Sequence, residues 1–198
     1  MKFTGERFIP TEQGRIQLEH YHRYAIVLDI VKGKDVLDLA CGEGYGSSLI
    51  ASTSRSVIGV DISDEAVQHA TKTYKKSNLS FYQGSATKLE FPDESFDVIV
   101  SFETIEHLTE QLEMLAEMRR VLRADGILVI SSPNRPVYNK VISEENEFHV
   151  KELDFQEFDD LLKLQFPAIK YCGQQIVLGS VIKPFQGIKT KFRAWLSS

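Results

Sequence analysis

A chain of 198 residues with 42% hydrophobic residues and no linker or repeat is long enough for one domain, 1–198, with a sizeable core. A net charge of −5 argues against a broad nucleic-acid footprint, so nucleic acid is not the expected substrate. The two cysteines, Cys41 and Cys172, form no C-x-x-C pair, and neither a signal peptide nor an apolar stretch of spanning length is evident; both points fit a reducing, cytoplasmic location.

In chain order, Gln13 to Val31 carries apolar and aromatic residues at helical spacing and predicts a helix packed on a sheet within an N-terminal segment, 1–32. Val36, Leu37 and Leu39 are the apolar run of a strand covered on both faces. Gly42, Gly44 and Gly46 follow, as a sharp strand-to-helix turn close to a ligand requires, and Ser47 to Ala51 can begin the helix. Ser56 to Val60 is a second strand that ends at Asp61, where a carboxylate can accept hydrogen bonds from two ribose hydroxyls. Ser63 caps a helix reaching about Lys75, and Leu79 to Gln83 is a third strand.

Asp38 decides which nucleotide suits the turn. A carboxylate just ahead of the glycines would repel a pyrophosphate but suits a cationic amino group. Asp38-Leu-Ala40-Cys41-Gly42-Glu-Gly44-Tyr-Gly46, followed by Asp61, resembles the first motif of the class I S-adenosylmethionine-dependent methyltransferases: an acidic residue, a small-residue pair and G-x-G-x-G.

That resemblance implies an α/β, Rossmann-like fold with a mostly parallel seven-stranded sheet, an antiparallel last strand and helices on both faces. It implies S-adenosylmethionine as cofactor, with Ile62 as an apolar wall for the adenine and Ser85 or the Ala86 N–H at the base edge; Ser85 stands where an Asp is common. It places the end of the fourth strand, Phe102, opposite the methyl sulfonium, and makes 1–32 a lid in which Arg23 or Tyr24 holds the cofactor carboxylate. An amphipathic helix with packed Tyr rings is the plainer alternative for that segment.

Val98 to Phe102 is the fourth strand, Glu110 to Leu122 a helix, and Ala124-Asp-Gly126 a turn into the fifth strand, Ile127 to Ser131. Arg135, Tyr138 and Asn139 are candidates for acceptor contact in the loop that follows, and a simple turn is the alternative. Asp154 to Leu164 is helical, Phe166 to Gln174 a sixth strand and Ile176 to Ile182 a seventh. The basic tail, 183–198, reads as surface, a homodimer contact or a contact with a larger biosynthetic complex.

The chemistry is expected at Glu103-Thr-Ile-Glu106-His107. In a helical turn, Glu103, Glu106 and His107 stand at i, i+3 and i+4 and share one face. With His149 as a fourth member, they form either a hard-metal site for Mg²⁺ or an acid–base site with His107 as base. The cluster resembles those of ubiquinone-biosynthesis O-methyltransferases and small-RNA terminal 2′-O-methyltransferases, which hold a divalent ion against the acceptor hydroxyl. A structural role for these residues is the third option.

The whole-chain resemblance, to small methyltransferases associated with polysaccharide modification, implies an oxygen acceptor, a sugar hydroxyl of a glycan or small metabolite. A phenol, quinone precursor or RNA 2′-hydroxyl is the alternative within the class. A non-catalytic cofactor-binding partner subunit and a nucleotide-dependent oxidoreductase are the alternatives outside it.

Overall fold

The computed structural model describes residues 15–137, 148–176, 180–184 and 194–197. Tyr138 and Asn139, the first residues of the N-terminal segment and most of the basic tail lie outside these.

Five parallel strands form the centre of the sheet: β1 (Asp35–Leu39), β2 (Ser56–Asp61), β3 (Leu79–Gln83), β4 (Phe96–Phe102) and β5 (Leu122–Ser131). Their order is β3-β2-β1-β4-β5, so the chain reverses direction of travel across the sheet between β1 and β4. Such a switch point opens a crevice at the carboxyl ends of the two neighbouring strands.

Side-chain alternation in the strands sorts the helices onto two faces. Leu37, Leu39, Ile99, Leu128 and Ile130 pack with Met114, Leu115, Met118 and Val121 of α4 (Gln111–Val121) and with Phe158 and Leu162 of α5 (Phe155–Lys163). Val36, Val98, Val100 and Val129 face the other way, onto Tyr24 of α1 (Arg15–Ile26), Val27, and Ile50 of α2 (Tyr45–Ile50). On this side α3 (Asp64–Thr73) packs Val67 and Ala70 against Phe81. Ser63 caps α3 as expected, its hydroxyl accepting from Ala66 N, and Asp154 precedes α5 as the N-cap of a capping box with Glu157.

Several expectations need correction. Ala124 to Gly126 does not turn between elements; it lies inside β5, which begins directly after α4 and shifts register against β4 between Phe96 and Val98. A bulge keeps the ladder going where a turn would end it. The strand expected over 176–182 is β7 (Ser180–Pro184), antiparallel to β6 (Ile169–Ile176) on its outer side. The segment between β5 and β6 is instead β8 (Ala194–Ser197), which the sequence placed in the basic tail. It covers the edge that β5 would otherwise expose. The order among described residues is therefore β3-β2-β1-β4-β5-β8-β6-β7, eight strands where seven were expected.

Candidate functional site

The glycine turn leaves β1 through two left-handed residues, Ala40 (φ 60°) and Gly42 (φ 57°), before Gly44 (φ 91°) starts α2. A Cβ on Gly42 would meet nothing within 4 Å, whereas one on Gly46 would lie 2.0 Å from Cζ of Tyr24. Gly42 thus leaves open space beside the turn, and Gly46 leaves room for the Tyr24 ring.

A cavity of about 280 Å³ opens beside the turn, lined among others by Ala40, Gly42, Asp61, Ile62, Ser85 and Ala86 at one end and by Glu103, Thr104 and His107 at the other. Asp61 is held by two backbone donors, Gly42 N on Oδ2 and Ser63 N on Oδ1, both at 2.9 Å. Ile62 is 64% exposed, an apolar surface on the cavity wall. The Ser85 hydroxyl is engaged with Thr87, at 2.9 Å to its Oγ1 and 3.2 Å to its N.

Asp38, Gly44, Gly46, Tyr24 and Phe102 stand behind this cavity, outside its lining. Asp38 is fully buried; Tyr24 donates to it at 3.0 Å and the Ser47 hydroxyl at 2.5 Å. Burial pushes its carboxyl up to about 7, against the two hydroxyl donors that favour the charged form. Tyr24 is therefore committed to Asp38, and its ring packs edge-on to Tyr45 and Phe102.

At the far end, the expected shared face of Glu103, Glu106 and His107 does not form. Glu103 takes a left-handed backbone (φ 51°), so the helical turn starts only at Ile105 and is a single 3₁₀ turn, Ile105–His107. Glu103 swings away, accepting from the Ser131 hydroxyl at 2.9 Å and standing 3.5 Å from the guanidinium of Arg23. Arg23 is itself buried and donates from Nε to Gln174 at 3.0 Å, which ties α1 to β6. The sequence offered Arg23 for the cofactor carboxylate; its pairing with Glu103 carries no local spacing signal.

Glu106, His107 and His149 do come together: a carboxylate oxygen and one nitrogen of each ring lie within 4.8 Å of one another. The loop after β5 is fastened there by Val150 N and Lys151 N, both donating to the Glu106 carbonyl at 3.0 Å. The Gln111 amide bridges Ile105 O and Lys151 O. Glu106 is fully buried and neither carboxylate oxygen has a hydrogen-bond partner. Burial, then the neighbouring Glu103 charge, pushes its carboxyl well above the usual range. A buried carboxylate without donors is costly unless it is protonated or coordinates a cation, so the set fits a metal ion. Arg135, offered for the acceptor, pairs instead with Asp154 and Glu157 at the start of α5.

Residues 30–178 match a family model described as a methyltransferase domain. A protein of Mycolicibacterium smegmatis, named a probable S-adenosylmethionine-dependent methyltransferase, is 37% identical over 166 residues, 82% of this chain and 64% of that protein. The fatty-acid O-methyltransferase of the same organism is 34% identical over 131 residues, 65% of this chain and 47% of that one. A crystal structure from Pyrococcus horikoshii shares the fold with a TM-score of 0.72 over 100% of this chain and 99% of its own, at 22% identity. The chain thus spans about two thirds or less of the curated relatives it matches. Glycine turn, Asp61, sheet order and these likenesses agree: the chain belongs to the class I S-adenosylmethionine-dependent methyltransferases.

Proposed function

We propose that the protein transfers the methyl group of S-adenosylmethionine to an oxygen nucleophile, a sugar hydroxyl. The observation that carries the oxygen acceptor is the Glu106–His107–His149 cluster at the end of β4, beside a cavity that Glu103 and His107 also line. The likeness to a fatty-acid O-methyltransferase supports oxygen as the receiving atom.

In this reading the adenosine lies along Asp61, Ile62, Ser85 and Ala86, with Asp38 at the amino-acid end behind the turn. A C–O bond forms as the S–CH₃ bond breaks, leaving a neutral thioether, and the acceptor proton passes to Glu103. Sulfonium is already an activated leaving group, so the protein's task is to orient the acceptor and ease loss of its proton. An alcohol is a poor nucleophile until that proton is lost, and a divalent cation held by Glu106, His107 and His149 would lower its pKa. Buried Glu106 and the two imidazoles would hold that cation.

We further place the single domain at 1–198 and take a seven-stranded sheet with an antiparallel last strand as the family core, to which β7 is an addition. No helix among the described residues is long and apolar enough to cross a membrane. Cys41 and Cys172 are buried free thiols, in support of a cytoplasmic setting. Calorimetry with S-adenosylhomocysteine and with NAD tests the cofactor: binding of the first and not the second supports the proposal, and the reverse overturns it.

A further inference from the structure

Glu152 takes no part in the methyl transfer described above, yet it touches the cluster. Its carboxylate accepts from His149 Nδ1 at 2.5 Å, and the two side chains are only 13% and 9% exposed. His107 makes the corresponding contact with the main chain, donating from Nδ1 to the Phe148 carbonyl at 2.7 Å. The two rings meet edge to face with centroids 5.0 Å apart. A ring nitrogen that donates a proton cannot also ligate, so with Nδ1 donating in each ring the nitrogen left to ligate is Nε2.

The donor set has a preference. Mg²⁺ favours oxygen ligands and keeps several waters, while imidazole suits Zn²⁺, Co²⁺ and their neighbours. Among the described residues, the charges that act on Glu106 are the carboxylates of Glu103 and Glu152 and the guanidinium of Arg23, which favours a dication of either kind. Two oriented imidazoles with one carboxylate decide between them.

We propose that Glu152 is a positioning residue: with the Phe148 carbonyl it fixes both imidazoles with Nε2 as the ligating atom. The Glu106–His107–His149 set then selects a borderline transition cation over Mg²⁺. This rests on reading the cluster as a cation site and replaces the Mg²⁺ expected from the sequence. A histidine whose second nitrogen is anchored by a carboxylate or carbonyl is held in orientation and made more basic, and loss of such an anchor typically weakens metal affinity about 10–100-fold.

The test strips the 198-residue protein with EDTA and titrates it with Co²⁺, followed by visible absorption, with Zn²⁺ and Mg²⁺ as competitors. The expected result is one Co²⁺ per chain, displaced by Zn²⁺ at comparable concentration and not by Mg²⁺ at about a hundredfold excess. Glu152→Ala should weaken Co²⁺ by about 10–100-fold and narrow the margin over Mg²⁺. Glu152→Gln, which keeps an acceptor for His149, should fall between and carries the test if the alanine variant does not fold. Co²⁺ affinity and spectrum unchanged in both variants, or Mg²⁺ competing at equal concentration, would overturn the proposal. S-adenosylhomocysteine calorimetry on the same samples separates the two readings. Cofactor binding without Co²⁺ binding overturns the metal proposal alone; Co²⁺ binding without cofactor binding supports it and overturns only the cofactor reading.

Discussion

The guanidinium of Arg23, in the last turn of α1, stands 3.5 Å from the carboxylate of Glu103 just past the end of β4, and Arg23 is 1% exposed. Removing one partner of a buried pair leaves the other charge uncompensated, which costs about 3–5 kcal/mol. Arg23→Met should lose that much stability in urea unfolding, and adding Glu103→Gln should restore part of it. Equal stability of the single variant and wild type would show that the pair does not hold α1 to the sheet.

Gly42 and Gly46 should respond differently to alanine. Gly42→Ala adds a Cβ in open space at a left-handed φ of 57°, at a strain of about 1–2 kcal/mol, so the protein should fold but bind S-adenosylmethionine on the order of tenfold more weakly. Gly46→Ala drives a Cβ into the Tyr24 ring and should cost about 1–3 kcal/mol or more as Tyr24 is pushed off Asp38. Thermal unfolding and calorimetry on the two variants check the contrast.

Asp61 already accepts from Gly42 N and Ser63 N before any ligand arrives. Asp61→Asn can satisfy only one of these donors through its single carbonyl oxygen, so it should destabilise the turn by about 1–3 kcal/mol as well as weaken cofactor binding. Unaltered unfolding with weakened binding would mean that the carboxylate serves the ligand alone.

Buried Asp38 and half-buried His20 give stability opposite slopes with pH. Asp38 titrates at about 7 in the fold, raised from 3.8 chiefly by burial, so the native state keeps a proton that the unfolded chain has released. Its contribution is full below about 4 and is lost as pH rises towards 7. His20 is lowered from 6.5 to about 3, first by burial and then by Arg23, so its contribution is full above 6.5 and is lost as pH falls towards 3. Melting curves from pH 4 to 8 should show Asp38→Asn gaining on wild type as pH rises, and His20→Gln gaining as pH falls. Parallel profiles would contradict both assignments.

The sequence made the five central strands, the Ser63 cap and the glycine turn legible because each depends on neighbours a few residues apart. The bulge at Ala124 to Gly126 reads as a turn in the sequence because its geometry depends on β4, across the sheet. Glu103 misled for a related reason. Its i, i+3, i+4 spacing to Glu106 and His107 promised one helical face, but its left-handed backbone places it outside the turn. Arg23 with Gln174, 151 residues apart, leaves no pattern in the chain. Glu152 stood only three residues from His149, yet its pairing depends on how the returning loop is fastened to the Glu106 carbonyl.

Methyl transfer from labelled S-adenosylmethionine to a panel of glycans, fatty acids, phenols and RNA tests the central claim most directly. Run with the wild type and with Glu106→Ala, after EDTA and after restoring Zn²⁺, Co²⁺ or Mg²⁺, it should show label on a sugar oxygen, lost with EDTA and in the variant. Label on nitrogen or carbon alone, or full turnover by Glu106→Ala on the true acceptor, would contradict the account.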